Sequence, residues 1–401
     1  MQLNKFSPWP NYTSEEVSAV SRVLKSGKVN YWTGGEGREF EKEFSAWCGV
    51  QHSVAMMNGT VALEAAMRAL GIGKNDEVIV TARTYFASIS SIVAVGATPV
   101  FADVSGLSQN ITAETVRSVV SKKTKAIMCV HLAGLPCEME EIVAFAVESG
   151  LYVIEDCAQA HGARYKGASV GSLGDIAAWS FCQDKIMTTG GEGGMVTTNN
   201  TALWERAWSL KDHGKSRSLA MSEDHPIGFR WLHESFGTNW RMTEMQAAIG
   251  RIQLRKMSDW HLERKRNAQK IVRAARAFPA VFFVPDPPEY LERAWYKCYL
   301  FVRPEGLKKG WNRNRMLEEI QSRGVPCFSG SCPEVYKEKA VVDRRLAPQS
   351  RLPVAEQLGE TSLMFLVHPG LSAESILLTS SVIAEVAQIA TDRAMVTGEK
   401  E

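Results

Sequence analysis

The chain has 401 residues, 45% of them apolar and 22% charged, the balance of a water-soluble globular protein with room for two or three cores. Its 46 basic residues are matched by 44 acidic ones, so there is no electrostatic footprint for nucleic acid or an anionic membrane surface. The start, MQLNKFSPWPNYTSEE, carries no basic segment followed by an apolar one, and no apolar run approaches the ~20 residues of a membrane span. Eight scattered cysteines without a CxxC pair point to a reducing cytoplasm rather than a disulfide framework. Cys327, Cys332 and His368 lack a fourth ligand and a regular spacing, so no metal site is expected.

From residue 53 to about 200 short apolar runs alternate with amphipathic segments. SVAMM (53–57) reads as a strand and TVALEAAMRALG (60–71) as a helix closed by Gly71. EVIV (77–80), TPVFADV (98–104), AIMCVHL (126–132), LYVIED (151–156), IAAWSF (176–181) and GGMVTT (193–198) read as further strands. Between them FASISSIVAVG (86–96) and MEEIVAFAVESG (139–150) read as helices. Nearly continuous apolar strands separated by helices indicate an α/β fold with a largely parallel sheet covered on both faces. The stretch 211–235 is polar and aperiodic and reads as a long loop. Residues 241–278 keep a helical period over a length too great for one uninterrupted core helix, and are expected to cross between domains. Beyond Pro285, strands such as CYLFVR (298–303) alternate with helices at 314–324 and 372–393, the pattern of a smaller α+β domain.

In an open parallel sheet, ligands sit beyond the carboxyl ends of the strands. After the first strand come Gly59 and Thr60, opening a helix whose free amides suit a phosphate, although Asn58 and Thr60 are equally ordinary helix caps. Asp156 ends a buried strand, where a carboxylate is costly without a cationic or hydrogen-bonding partner. Ser180 ends another, and five residues on stands Lys185, followed by the glycine-rich TTGGEGG. A lone lysine is ordinarily solvated, but an amine in a dry, positively biased cleft becomes a nucleophile. Tyr85 follows a strand and offers a flat face. Together these supply a phosphate cup, a carboxylate for a pyridinium nitrogen, an amine for an aldehyde and a stacking platform, the set that pyridoxal 5'-phosphate requires. A nicotinamide site is excluded, because TGGEGRE (33–39) neither follows a strand nor matches GxGxxG.

These residues stand in stretches that resemble the DegT/DnrJ/EryC1/StrS sugar aminotransferases of pyridoxal-phosphate fold type I. The resemblance runs through TGGEGREFEKEFS, NGTVALEAAMRALGIGKNDEVIV, GATPVFADV, VIEDCAQAHGA, SFCQDKIMTTGGEGGMVTT, TNWRMTEMQAAIGRIQL and HPGLS, in the family's order over most of the chain. It implies a large cofactor-binding domain over 1–255 and a small α+β domain over 256–401. It implies that Lys185 is the Schiff-base lysine, that Asp156 pairs with the ring nitrogen and that Tyr85 stacks on the ring. Gln159 would contact the ring-hydroxyl side, while Gly59, Thr60 and Ser180 form the phosphate cup. Asn239 would reach the phosphate from the neighbouring subunit of a homodimer with shared active sites. The implied activity is transfer of an amino group from an amino acid, glutamate first, to a keto-sugar, nucleotide-linked and ketonised at C3 or C4. The product would serve lipopolysaccharide O-antigen, another surface polysaccharide or a glycosylated metabolite. Alternatives are a deoxysugar dehydratase, in which relatives carry histidine at the lysine position, a cyclitol aminotransferase, or a non-catalytic regulatory relative. Where many relatives carry a His-Tyr pair followed by Pro and His, this chain has GVPCFSGSCPEVY (324–336), and the loop before Asn239 is long.

Overall fold

Residues 6–224 and 227–391 are described by a computed structural model. The first five residues, which bear on the expectation about a leader, and residues 392 and 393 of the expected last helix lie outside that range.

The expected strands assemble into one seven-stranded sheet. Its order is His52–Met56, Gly194–Thr198, Ile176–Ser180, Tyr152–Asp156, Thr124–Val130, Glu77–Thr81, Thr98–Ala102. Gly194–Thr198 runs antiparallel to both neighbours, and every other pairing is parallel. Val78, Ile79 and Val80 are wholly buried, as expected for a strand covered on both faces. Successive residues of Ile176–Ser180 feed opposite cores. Ala178 joins the cluster built on the helix Gly59–Ala69, whereas Trp179 packs with Phe40 and Phe44 of the helix Glu36–Cys48. The α/β architecture of fold type I is thus borne out.

A four-stranded antiparallel sheet carries the second half, in the order Phe282–Phe283, Cys298–Val302, Ser362–Phe365, Cys327–Phe328. The helices Arg313–Ser322 and Ala373–Ala390 pack on it. Ala373–Ala390 is long and apolar enough to cross a membrane by length and composition. Here Val382, Ile383 and Val386 are instead buried in the core of this sheet.

Two expectations need correction. The pattern at 241–278 forms one 33-residue helix, Glu244–Arg276. A capping box between Thr243 and Gln246 starts it, and no proline interrupts it. Its internal Gly250 lies where a Cβ would come within 2.7 Å of Phe40 Cζ, so close packing against Glu36–Cys48 compensates the helix-weakening residue. The helix spans the expected junction at 255/256, packing on Ser14–Ser26 and Glu36–Cys48 and then on Ala373–Ala390. The stretch 211–235 is not loop throughout: Lys211 ends a helix, Arg217–Met221 form a short one, and Lys215 bridges to His233.

Candidate active site

The carboxyl ends of the parallel strands, together with the edge of the small sheet, enclose a cavity of about 790 Å3. Gly59, Thr60, Tyr85, Asp156, Gln159, Ser180 and Lys185 all line it. Asn239 does not; it is exposed and forms a bridge with Asp212.

At one end lies the start of the helix Gly59–Ala69, capped by Asn58, whose Oδ1 accepts from Val61 N at 3.0 Å. The ordinary-cap reading therefore holds for Asn58, while the amides of Gly59 and Thr60, in the first turn, have no intrahelical carbonyl to bond. A Cβ on Gly59 would stand 2.6 Å from Ser180 Cβ, so only glycine lets the helix start close against the Ser180 hydroxyl. The result is an amide- and hydroxyl-lined cup suited to a phosphate.

Lys185 sits on a loop braced from inside. Thr188 Oγ1 and Thr189 N both donate to Phe181 O, and Cys182 bridges to Gly191, whose φ of 123° favours glycine. The Lys185 backbone is held at both ends: its N–H donates to Cys182 O at 3.1 Å, and its carbonyl accepts from Trp9 Nε1 at 2.7 Å. The amine lies 3.9 Å from Asp184 Oδ1 and 5.3 Å from the centroid of Tyr296. Tyr296 donates its hydroxyl to Asp184 Oδ2.

Asp156 is 5% exposed. Its Oδ2 accepts from Ser88 Oγ at 2.8 Å and its Oδ1 from Ala158 N at 3.1 Å. Thr84 Oγ1 lies 2.9 Å from Ser88 Oγ and extends that relay. Burial pushes the Asp156 carboxyl up from its ordinary value, more than Ser88, Ala158 and the charge of Lys185 pull it down. These partners leave the carboxylate undercompensated, and a protonated ring nitrogen would supply the missing charge. Gln159 Oε1 accepts from Ala133 N at 2.8 Å, leaving its amide group free to donate. Tyr85 is 68% exposed at the cavity, so its ring face is open. Amide cup, buried acid, amine and open ring are a donor set that fits pyridoxal phosphate.

On the other side of the same strand, Glu155, His131 and Cys157 bring ligand-type atoms within 4.8 Å of one another. The carboxylate oxygens of Glu155 and both ring nitrogens of His131 are engaged. Glu155 Oε2 accepts from Gly171 N at 2.8 Å and pairs with His131 Nε2 at 3.0 Å, while Oε1 accepts from Leu173 N and Gly174 N at 2.8 Å. His131 Nδ1 accepts from Cys137 N, which places the ring proton on Nε2. This cluster is a buried brace and has no place for an ion.

Sequence reading missed Ser88, although it stands in the same RTYFAS stretch as Tyr85. It also missed Tyr296 and Lys297, which come to the cavity beside the small sheet; Ser331 and Cys332, also at the cavity, lie in the departing stretch 324–336. No local pattern marks Tyr296 and Lys297, because only the packing of the second sheet brings them there.

The model of the DegT/DnrJ/EryC1/StrS aminotransferase family matches residues 10–386. GDP-perosamine synthase of Escherichia coli O157:H7 is 35% identical over 94% of this chain and 96% of its own length. The dTDP-3-amino-3,4,6-trideoxy-alpha-D-glucose transaminase of Streptomyces venezuelae is 32% identical over 94% and 93%. A solved aminotransferase from Psychrobacter cryohalolentis superposes with a TM-score of 0.95 at 57% identity, covering 96% of this chain and 99% of that one. The chain belongs to the DegT/DnrJ/EryC1/StrS aminotransferase family of pyridoxal-phosphate-dependent enzymes.

Proposed function

We propose that this enzyme transfers an amino group from glutamate to a nucleotide-linked keto-sugar, ketonised at C3 or C4, in the cytoplasm. The observation that carries the reading is the placement of the Lys185 amine, the buried Asp156 carboxylate and the amide cup of Gly59 and Thr60 around one cavity. The relatives named as a perosamine synthase and an amino-sugar transaminase support a sugar acceptor. All eight cysteines are free thiols, which supports a reducing compartment.

When bound, pyridoxal phosphate supplies an aldehyde that carries nitrogen between the two substrates and a ring that accepts the electron pair of a breaking C–H bond. Gly59, Thr60 and Ser180 would hold its phosphate, and Tyr85 would cover one ring face. Asp156, fixed by Ser88 and Ala158, would keep the ring nitrogen protonated, and Gln159 would donate to the ring oxygen. Lys185 would hold the aldehyde at rest, and its free amine would take the proton from the donor α-carbon and return one to the sugar carbon. Because Lys185 is present where dehydratases of the family carry histidine, transfer is favoured over loss of water.

The active unit is a homodimer in which Asn239 serves the partner's phosphate cup. The segment that leads to Asn239 exposes Phe229, Trp231 and Phe236, which a second copy would cover. The domain division falls within Glu244–Arg276, giving a cofactor domain over 1–255 and a small domain over 256–401. The test is to incubate a panel of nucleotide keto-sugars with glutamate and weigh the products. Replacement of the ketone oxygen by an amine is expected; loss of water, or no nitrogen gained from any donor, overturns the reading.

A further inference from the structure

The catalytic cavity adjoins a second recess of about 300 Å3, and Asp184, Tyr296, Lys297 and Leu366 line both. The N-terminal segment from Phe6 to Trp9, together with Arg264 and His368, completes its wall. Trp9 ties this segment to the catalytic loop through its bond to the Lys185 carbonyl.

Arg264 is 1% exposed. Its Nη1 makes only long contacts, 3.5 and 3.4 Å, to the carbonyls of Trp295 and Tyr296. Its Nε and Nη2 are buried without a hydrogen-bond partner. The guanidinium packs 5.2 Å from the centroid of Trp9, and no carboxylate pairs with it among the described residues. A buried cation without an anion is unfavourable, and burial pushes Arg264 down to about 9. Nε and Nη2 form one edge of the guanidinium and match the two oxygens of a carboxylate. His368 Nδ1 also lacks a partner. Lys297, held down to about 8 by burial, puts a second cation on the wall. The one acid among the described lining residues, Asp184, already accepts from Tyr296 and faces Lys185.

We infer that this recess seats a carboxylate of the amino donor, with Arg264 Nε and Nη2 taking both oxygens and Lys297 adding charge. The inference rests on the proposed amino transfer and names how that site recognises its nitrogen source. Charge favours a carboxylate over a phosphate. Burial drives His368 down to about 3, leaving it neutral, so two cations set against Asp184 balance a monoanion rather than a dianion.

The test uses the cofactor-loaded enzyme and Arg264→Lys, which keeps the charge and removes the fork. Titration calorimetry with glutarate, a five-carbon diacid without an amine, reads the recess independently of turnover. Glutarate is expected to bind the wild type and at least tenfold more weakly to the variant. KM for glutamate rises tenfold or more, while KM for the keto-sugar moves less than twofold. Alanine as donor tells which carboxylate is held: an unchanged KM for alanine places the side-chain carboxylate there, and a raised one the α-carboxylate. If Arg264→Lys does not fold, Lys297→Met is measured in the same way, with weaker glutarate binding expected. Unchanged glutarate affinity in a folded variant overturns the inference, as does a keto-sugar KM that rises as much as the donor's, which would assign the recess to a sugar-borne phosphate. Wild-type turnover separates the two levels: no amino transfer by the wild type strikes the proposed function, whereas normal turnover with an unmoved donor KM strikes the recess alone.

Discussion

Glu155 and Asp156 are adjacent acids at the end of one buried strand, and their alternation sends them to opposite faces of the sheet. Burial pushes both carboxyls up. For Glu155 the hydrogen bond and charge of His131 and the amides of Gly171 and Gly174 outweigh it, and the carboxyl ends below its ordinary value. For Asp156 a hydroxyl, one amide and a more distant lysine do not outweigh it, and the carboxyl ends above. One side of the strand is a closed electrostatic balance; the other is open and faces the cavity. The difference separates an acid that holds the fold from one that waits for a ligand.

The comparison is broken most severely at the amine. Lys185→Ala removes the proposed nucleophile and proton carrier together, and amino transfer is expected to fall on the order of 10^4-fold or more. Borohydride reduction followed by peptide mass spectrometry should find the cofactor fixed to residue 185 in the wild type only. Melting of the variant should stay close to wild type, since the Glu155 side is untouched.

The closed side is broken by Glu155→Ala, which leaves His131 and three amides without their acceptor. A loss of about 3–5 kcal/mol is expected in urea unfolding. The pH dependence has a definite sign. Because the folded carboxyl titrates below its unfolded value, its stabilisation is full at neutral pH and decays as pH falls through the folded value. Glu155→Gln should flatten that acid limb, and melting curves recorded from neutral pH into the acid range would reveal it.

Asp156→Asn tests the open side. Without the carboxylate a bound ring nitrogen would, on the proposed reading, lose its counter-charge, and kcat is expected to fall about 10^2- to 10^3-fold while the fold persists. The cofactor-free wild type carries the opposite pH signature to Glu155. A carboxyl raised in the folded state contributes stability below its unfolded pKa that is lost as pH rises through the folded value. Cofactor binding should abolish that slope, and the asparagine variant should lack it from the start.

The fate of these neighbours also explains what the sequence disclosed. Strand ends are local features, so Asp156, Ser180, Lys185, Gly59, Thr60 and Tyr85 were legible as soon as the alternation of strands and helices was read. Gln159 and Asn239 came only from family resemblance, and Asn239 lies off the cavity that the other seven share. Nothing local marks Arg264, because burial of one position on a helix depends on what packs against it. Lys297 and Tyr296 were invisible for the same reason: the second sheet, not the local pattern, brings them to Lys185. The 33-residue helix was misjudged because its burial changes partners midway, which a single amphipathic period does not report.

The smallest break sharpens the comparison furthest. Ser88→Ala leaves Asp156 in place but removes one of its two hydrogen bonds, at 2.8 Å. A hydrogen bond to a charged acceptor contributes about 1.5–3 kcal/mol, so kcat should fall about tenfold or somewhat more if the hydroxyl holds the carboxylate in its working orientation. The carboxyl should rise further in the cofactor-free protein, since a group that lowers it has been removed. Ser88→Thr, which keeps the hydroxyl, should restore most of the rate. A rate loss in both variants with no shift of the Asp156 titration would instead make Ser88 a packing residue of the helix Ala87–Ala94, and the relay from Thr84 would have no part in tuning the acid.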